Sequence, residues 1–294
     1  MNAPSASPLS ALSSEIAGLV RSAARSVVGV RSHHSHGSGF AWRPNLIVTA
    51  DENVTDEDRL AVVLPGGAPV LATLKGRDPS TDIALLRVEA PDLQPVAAGV
   101  GDVLAGSLAV VVGADGGSPA AALGVVSRAG PGWRSVRGGD IDARIEIDML
   151  LRGASEGGLA LDASGRAIGM AVFGPRRRVL VISSSTIERV AAKLDAEGRI
   201  ARGYLGLGLQ AVRLDGGGVG AMVMSVDAQG PGARVGLRQG DIVTGWNGRA
   251  IGGVDDLLRA LGPDSVGTVV QLSVSRAGVP TTFDVTIGAR PERE

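Results

Sequence analysis

Cysteine is absent from the 294 residues, which excludes disulfides, thiolate metal sites and thiol nucleophiles. Aromatic residues make up only 2 %, so strands must be built from Val, Leu, Ile and Ala. An excess of one charge sign is missing as well: 29 Lys and Arg against 30 Asp and Glu give a formal net charge of −1. Nucleic acid is therefore not an expected partner. No apolar run reaches membrane-spanning length, and Arg21 and Arg25 interrupt the N-terminal stretch, so neither an export signal nor a membrane span is expected. With Met1 as the native start, the cytoplasm is the expected compartment. Histidine is scarce: His33, His34 and His36 are the only three, and they sit in one short run.

Glycine, by contrast, is abundant, at 44 residues, and supplies turns between short strands. Hydrophobic residues at 44 % against 20 % charged indicate a soluble globular chain, long enough for two domains. Helical spacing of Leu12, Ile16, Leu19, Val20 and Ala23 predicts an amphipathic helix from Ser10 to about Ser26. The segments Leu46–Thr49, Leu60–Leu64, Ile83–Val88, Ala109–Val112, Arg144–Asp148 and Val179–Ile182 are short, apolar or alternating, and bounded by turn residues, as in a β-barrel or sandwich. SSSTIERVAAKLDAEGRIARG opens on capping hydroxyls, carries Ile187, Val190, Ala191 and Leu194 on one face and reaches Gly198 at its end, which predicts a junction helix. Strands resume beyond Gly203 around a short helix near Val254–Leu261.

GSGFAWRPNLIVTADENV, from Gly37 to Val54, resembles the strand pair of HtrA-type trypsin-like proteases that leads into the loop bearing the histidine base. The base position falls on Glu52. DPSTDIALLRV resembles the stretch around the triad aspartate, which lands on Asp82. RIEIDMLLRGASEGGLALDASGRAIGM resembles the region of the Gly-Asn-Ser-Gly-Gly-Pro nucleophile loop, and matching inward from Asp148 and from Ile168-Gly169 puts the nucleophile at Glu156, next to Ser155. Downstream, RGYLGLGL, GPGARVGLRQGDIVTGWNGRAI and VDDLLRALG look like a bacterial PDZ domain. The resemblance implies a mainly β fold: a trypsin-like double β-barrel followed by a PDZ domain, with an N-terminal helix and a linker helix. The implied domains are an N-terminal helical segment over 1–26, a trypsin-like (pseudo)protease domain over 27–184, a linker helix over 185–200 and a PDZ domain over 201–290.

A hydroxyl attacks a peptide only when a base within hydrogen-bond reach takes its proton. With Glu52 and Glu156 in place of His and Ser, and only Asp82 retained, no catalytic residue is expected. GASEGG also fits Gly-x-Ser-x-Gly around Ser155, but that motif needs a following helix, and strand, turn and strand follow here. Carboxylates at 52, 82 and 156 oppose one another's ionisation, so one should titrate late; pairing with Arg152 would offset the repulsion. Glu156 could also accept from the backbone N–H groups of the oxyanion hole, filling it from within, and Asp82 would hold the loop by bonding the Asp51–Asn53 backbone. No metal and no cofactor are expected; the candidate ligand sets are the same-face pair His34 and His36, or Glu52, Asp82 and Glu156.

By the same resemblance, Tyr204, Leu205, Gly206 and Leu207 would offer N–H groups to a peptide C-terminus, with Leu205, Leu207, Leu257, Leu258 and Leu261 around its last side chain. The leading expectation is a non-catalytic adaptor, scaffold or chaperone-like subunit that binds protein C-termini or extended peptides, within a larger complex or a homo-oligomer. The alternatives are an atypical serine endopeptidase or metal-dependent enzyme with a rearranged site, and a dedicated subunit of a larger enzyme assembly.

Overall fold

The structure, a computed structural model, describes residues 7–291 apart from Asp58, Ala68, Ala98, Val100, Gly101 and Asp215. The expectations resting on Met1 and the five residues after it lie outside the described residues. Contacts divide the chain into two compact units, Met1–Trp133 with Asp140–Arg199 and Arg134–Gly139 with Ile200–Glu294.

The first unit opens with α1 (Pro8–Ala23), whose cap Ser7 accepts from the Ser10 N–H at 3.2 Å and whose first turn carries Pro8, a residue with no N–H to leave unpaired. Six strands then close into a barrel: β1 (Val27–Arg31), β2 (His36–Arg43), β3 (Leu46–Thr49), β4 (Ala61–Val63), β5 (Pro69–Asp78) and β6 (Ile83–Val88), in ring order β1-β2-β3-β6-β5-β4. Its interior is filled by Val28, Val30, Ile47, Val62 and Leu86. A second barrel follows: β7 (Leu108–Asp115), β8 (Ser118–Arg134), β9 (Asp140–Asp148), β10 (Gly158–Asp162), β11 (Ala167–Phe173) and β12 (Val179–Ser183), in order β10-β11-β12-β9-β8-β7. Val111, Ile145, Ile147, Ala160 and Val181 pack inside it. β-Branched and small residues can fill rings of this size without aromatics.

The helix α2 (Ser184–Glu197) starts where the Ser183 hydroxyl accepts from the Thr186 N–H and stops at Gly198, in the left-handed region at φ 73°. Ile187, Val190, Ala191 and Leu194 form its buried face, and it lies against β5 and β6 of the first barrel and β11 of the second.

The second unit contains β13 (Gly203–Tyr204), β14 (Leu207–Arg213), β15 (Val219–Val226), α3 (Pro231–Arg234), β16 (Ile242–Trp246), β17 (Arg249–Ala250), α4 (Val254–Ala260), β18 (Val269–Arg276), β19 (Val279–Thr286) and β20 (Gly288–Ala289). The main sheet runs β14-β15-β16-β18-β19, with β14 at one edge. Leu205, Val223, Val243, Leu257, Leu272 and Val285 make its core. Asp241, only 2 % exposed, takes both forks of Arg276 at 2.8 Å and the Arg238 N–H at 2.8 Å. The architecture is mainly β, as the resemblance implies.

Candidate functional site

After β3 the chain makes a single 3-10 turn, Asp51–Asn53, which places Glu52 on the surface and buries its two neighbours. Asp82 stands at the start of β6 with φ 58°, and its Oδ1 accepts from the Glu52 N–H at 3.3 Å, so it holds the turn. Burial above all, then the Glu52 carboxylate, pushes the Asp82 carboxyl up to about 7, with Asp51 and Glu156 adding to the effect. Burial likewise raises Glu156, and Glu52 adds to it, while the Phe173 N–H and the Arg177 guanidinium pull the other way. The three positions therefore form one electrostatic cluster. Arg152 is exposed and makes no ion pair among the described residues, so the expected pairing does not form; the cations acting on this region come from other elements. Arg77 donates to the buried Asp51 at 2.5 Å, and Arg177 faces Glu156.

The loop before β10 explains more. Gly153–Ser155 forms another 3-10 turn, in which the Ser155 N–H donates to the Arg152 carbonyl at 2.9 Å and the Glu156 N–H to the Gly153 carbonyl at 3.0 Å. The Glu156 amide is at the nucleophile position, one of those that an oxyanion hole would keep free to bind a developing charge. Contrary to the expectation from sequence, the carboxylate of Glu156 does not fill that hole from within. Its Oε1 accepts instead from the Phe173 N–H at 3.3 Å, since the local turn has already taken the nearer donors. Ser155 is 6 % exposed.

Two residues that the sequence reading did not single out pin this loop. The Ser38 hydroxyl donates to the Ala154 carbonyl at 2.6 Å and accepts from the Ala114 N–H at 2.8 Å, while the Ser38 N–H donates to the Glu156 carbonyl at 2.7 Å. Asn53 Nδ2 reaches the same carbonyl at 3.1 Å and Thr49 Oγ1 at 3.0 Å. Gly157 completes the fit: φ is +79°, and a Cβ there would stand 2.3 Å from the Ser38 carbonyl oxygen, a contact that only glycine avoids. Ser38 lies inside the GSGF motif and Asn53 one residue after Glu52, but their partners are about a hundred residues away and no local pattern reveals them.

The histidines stay apart from this cluster. The pairing His34 with His36 does not form, because β1 ends at Arg31 and Ser32–Ser35 is the connecting turn, so strand alternation does not run through His34. His33 Nδ1 lies 2.6 Å from His34 Nε2 instead. The three imidazoles line a cavity of about 460 Å³ with Asp115 and Ala154, and among the described residues none bonds a hydroxyl. Nor does any group of three His, Asp or Glu among the described residues suit a metal ion.

In the second unit, Gly206 has φ +73°, and a Cβ on it would stand 2.8 Å from Gly230 Cα. The carbonyls of Leu205 and Gly206 accept from Gly232 and Asp227, both at 2.8 Å, and no carbonyl among the described residues accepts from the N–H groups of these two residues. The Tyr204 hydroxyl donates to Asp227 at 3.1 Å. Leu205, Leu257 and Leu261 are buried, Leu207 is half-buried and Leu258 is exposed.

Comparison with known proteins agrees with both halves. The trypsin-like peptidase domain family matches residues 37–170 and the PDZ domain family residues 203–287. A probable periplasmic serine endoprotease, DegP-like, of Brucella suis is 34 % identical over 275 residues, covering 87 % of this chain and 53 % of the relative. Its namesake in Bartonella henselae is 32 % identical over 287 residues, covering 90 % and 56 %. The chain thus spans about half the length of these curated relatives. Among solved structures, a serine endoprotease from Yersinia pestis superposes with a TM-score of 0.69 at 23 % identity, covering 99 % of this chain and 100 % of that one. The HtrA-type protease AlgW with decapeptide gives 0.68 at 21 %, covering 95 % and 99 %; these two establish the fold. The cytoplasmic expectation is corrected, since the relatives are named periplasmic. It leaned on the lack of cysteine, which constrains no compartment, and on where the sequence starts. A trypsin-like peptidase domain of two barrels followed by a PDZ domain makes this chain a homologue of the serine endoproteases named DegP-like.

Proposed function

We propose that the chain is a non-catalytic, HtrA-like protein-binding module whose PDZ groove takes protein C-termini, and that it acts in the periplasm, the compartment named for its relatives. The observation that carries this reading is the triad itself: carboxylates at 52, 82 and 156 share one site, while the amides of Ser155 and Glu156 are bonded to Arg152 and Gly153. With no hydroxyl at 156 and no imidazole at 52, serine-type acyl transfer lacks both its nucleophile and its base. The division of labour follows the expected (pseudo)protease domain over 27–184 and the PDZ domain over 201–290.

For the groove, support comes from the unclaimed N–H groups of Leu205 and Gly206 beside the edge strand β14, a donor pair suited to a terminal carboxylate with a strand to extend. Of the leucines expected around the last side chain, Leu207 and Leu258 retain accessible surface, which supports this reading.

The test has two arms. Purified protein is incubated with casein, with and without magnesium, calcium or manganese, and PDZ binding is measured with a peptide ending in a small aliphatic residue, free or amidated. No turnover, together with binding lost on amidation, is the expected result. Turnover abolished by Ser155→Ala would establish the other reading, the endopeptidase activity for which the relatives are named.

A further inference from the structure

The wall of the second barrel carries an arginine cluster, Arg128, Arg144 and Arg178, with no role described so far; Arg177, which faces Glu156, adjoins it. Ile145 and Ile147 point into the barrel, so strand alternation turns Glu146 outward, yet its side chain is only 6 % exposed. The cover is made of guanidinium groups: Arg144 on the same strand at 2.7 Å, Arg178 at 3.3 Å and Arg128 at 3.6 Å. The Arg144 bond, with burial opposing it, holds the Glu146 carboxyl below its usual range. Three guanidinium groups against one carboxylate leave an excess of two positive charges, and no second acid joins Arg128, Arg144 or Arg178 among the described residues. Arg128 and Arg178 remain 57 % and 59 % exposed, so their outer donors face water.

Two features show that these side chains are held for display. Arg144 lies 5.1 Å from the Trp133 ring and Arg177 4.7 Å from Phe173, which orients flat cations against aromatic faces. Next to Arg178, Arg176 and Arg177 both adopt left-handed backbone, at φ 59° and 57°. That conformation favours glycine or asparagine, so the turn does not account for arginine at either position. All this positive charge is gathered on a chain whose net charge is −1.

We propose that this face binds a short acidic segment of a partner polypeptide, with Glu146 serving as an internal anchor that arrays the guanidinium forks for incoming carboxylates. The excess charge matches a few carboxylates. Nucleic acid is disfavoured, because its sequence-independent affinity grows with the number of phosphates neutralised, and an excess of two positive charges neutralises few. This inference is separate from the PDZ groove and holds whether or not the barrel hydrolyses peptides.

The experiment measures fluorescence anisotropy of a labelled oligoglutamate peptide with the whole chain and with Arg128→Gln/Arg178→Gln. Expected is binding that weakens severalfold with added salt and falls at least about tenfold in the double variant, as for loss of key charged contacts at an interface. Binding of the C-terminal peptide to the PDZ groove stays the same. A second variant, Glu146→Gln, removes the anchoring charge that arrays the forks and should weaken oligoglutamate binding severalfold although the net positive charge rises by one, which unspecific charge attraction would not produce. The proposal is overturned if oligoglutamate fails to bind, if the double variant binds as well as the parent, or if single-stranded RNA or phosphatidylglycerol vesicles compete through the same arginines at lower concentration.

Discussion

Replacing Asp82 by Asn should make the first unit more stable at pH 8 and leave it unchanged at pH 4. In the folded chain the Asp82 carboxyl titrates at about 7, against about 3.9 when unfolded. A group whose folded pKa is raised contributes stability that is fully present below the unfolded pKa and is lost as pH rises through the folded one. The window is therefore pH 4 to 7, and at about 1.36 kcal/mol per unit three units set a ceiling of about 4 kcal/mol. Asn keeps an oxygen for the Glu52 N–H and carries no charge, so it should recover roughly 2–4 kcal/mol above pH 7. The assay is urea denaturation at several pH values, followed by Trp42, which is buried in β2. Taking the difference between parent and variant cancels the opposite trends of Glu146 and Asp162, whose carboxyls are lowered. A difference that is flat from pH 4 to 8, or that grows toward acid, would refute the reasoning.

Two further outcomes follow from the same geometry. Ser38→Ala removes a hydroxyl that serves Ala154 and Ala114 and strands both partners, at about 1–3 kcal/mol each, so the urea midpoint should fall by the equivalent of roughly 2–6 kcal/mol; Ser155→Ala, which breaks no side-chain hydrogen bond, should shift it by under about 0.5 kcal/mol, and equal effects would contradict the account of the loop. Asp241→Ala leaves Arg276 without its bidentate partner and the Arg238 N–H without its acceptor and should destabilise the second unit, read as loss of C-terminal peptide binding while the barrels, monitored through Trp42, melt at their usual midpoint.

Local signals made much of the fold legible. The capping hydroxyls before Ile187 and the glycine at 198 bound α2 within a residue or so, and the apolar runs at Leu46–Thr49 and Ile83–Val88 are strands with the same ends. Motif order gave the positions of Glu52, Asp82 and Glu156, and like charges in one site predicted a late-titrating carboxyl. What stayed hidden depends on contacts between distant strands. Nothing near Ser38 announces that its hydroxyl spans two barrels, and nothing near Gly153 announces that the next amides close a tight turn. Glu146 reads as an ordinary polar strand residue until three arginines, from segments up to 50 residues apart, fold over it.

Each barrel ends where it begins, with β4 paired to β1 and β7 to β10. Peeling from a free margin, the usual way a sheet lets deuterium reach its amides, has no starting point in such a ring. Because Ser38 and Asn53 also lace the loop of one ring into the wall of the other, their amides should exchange together, in a single slow class set by global opening.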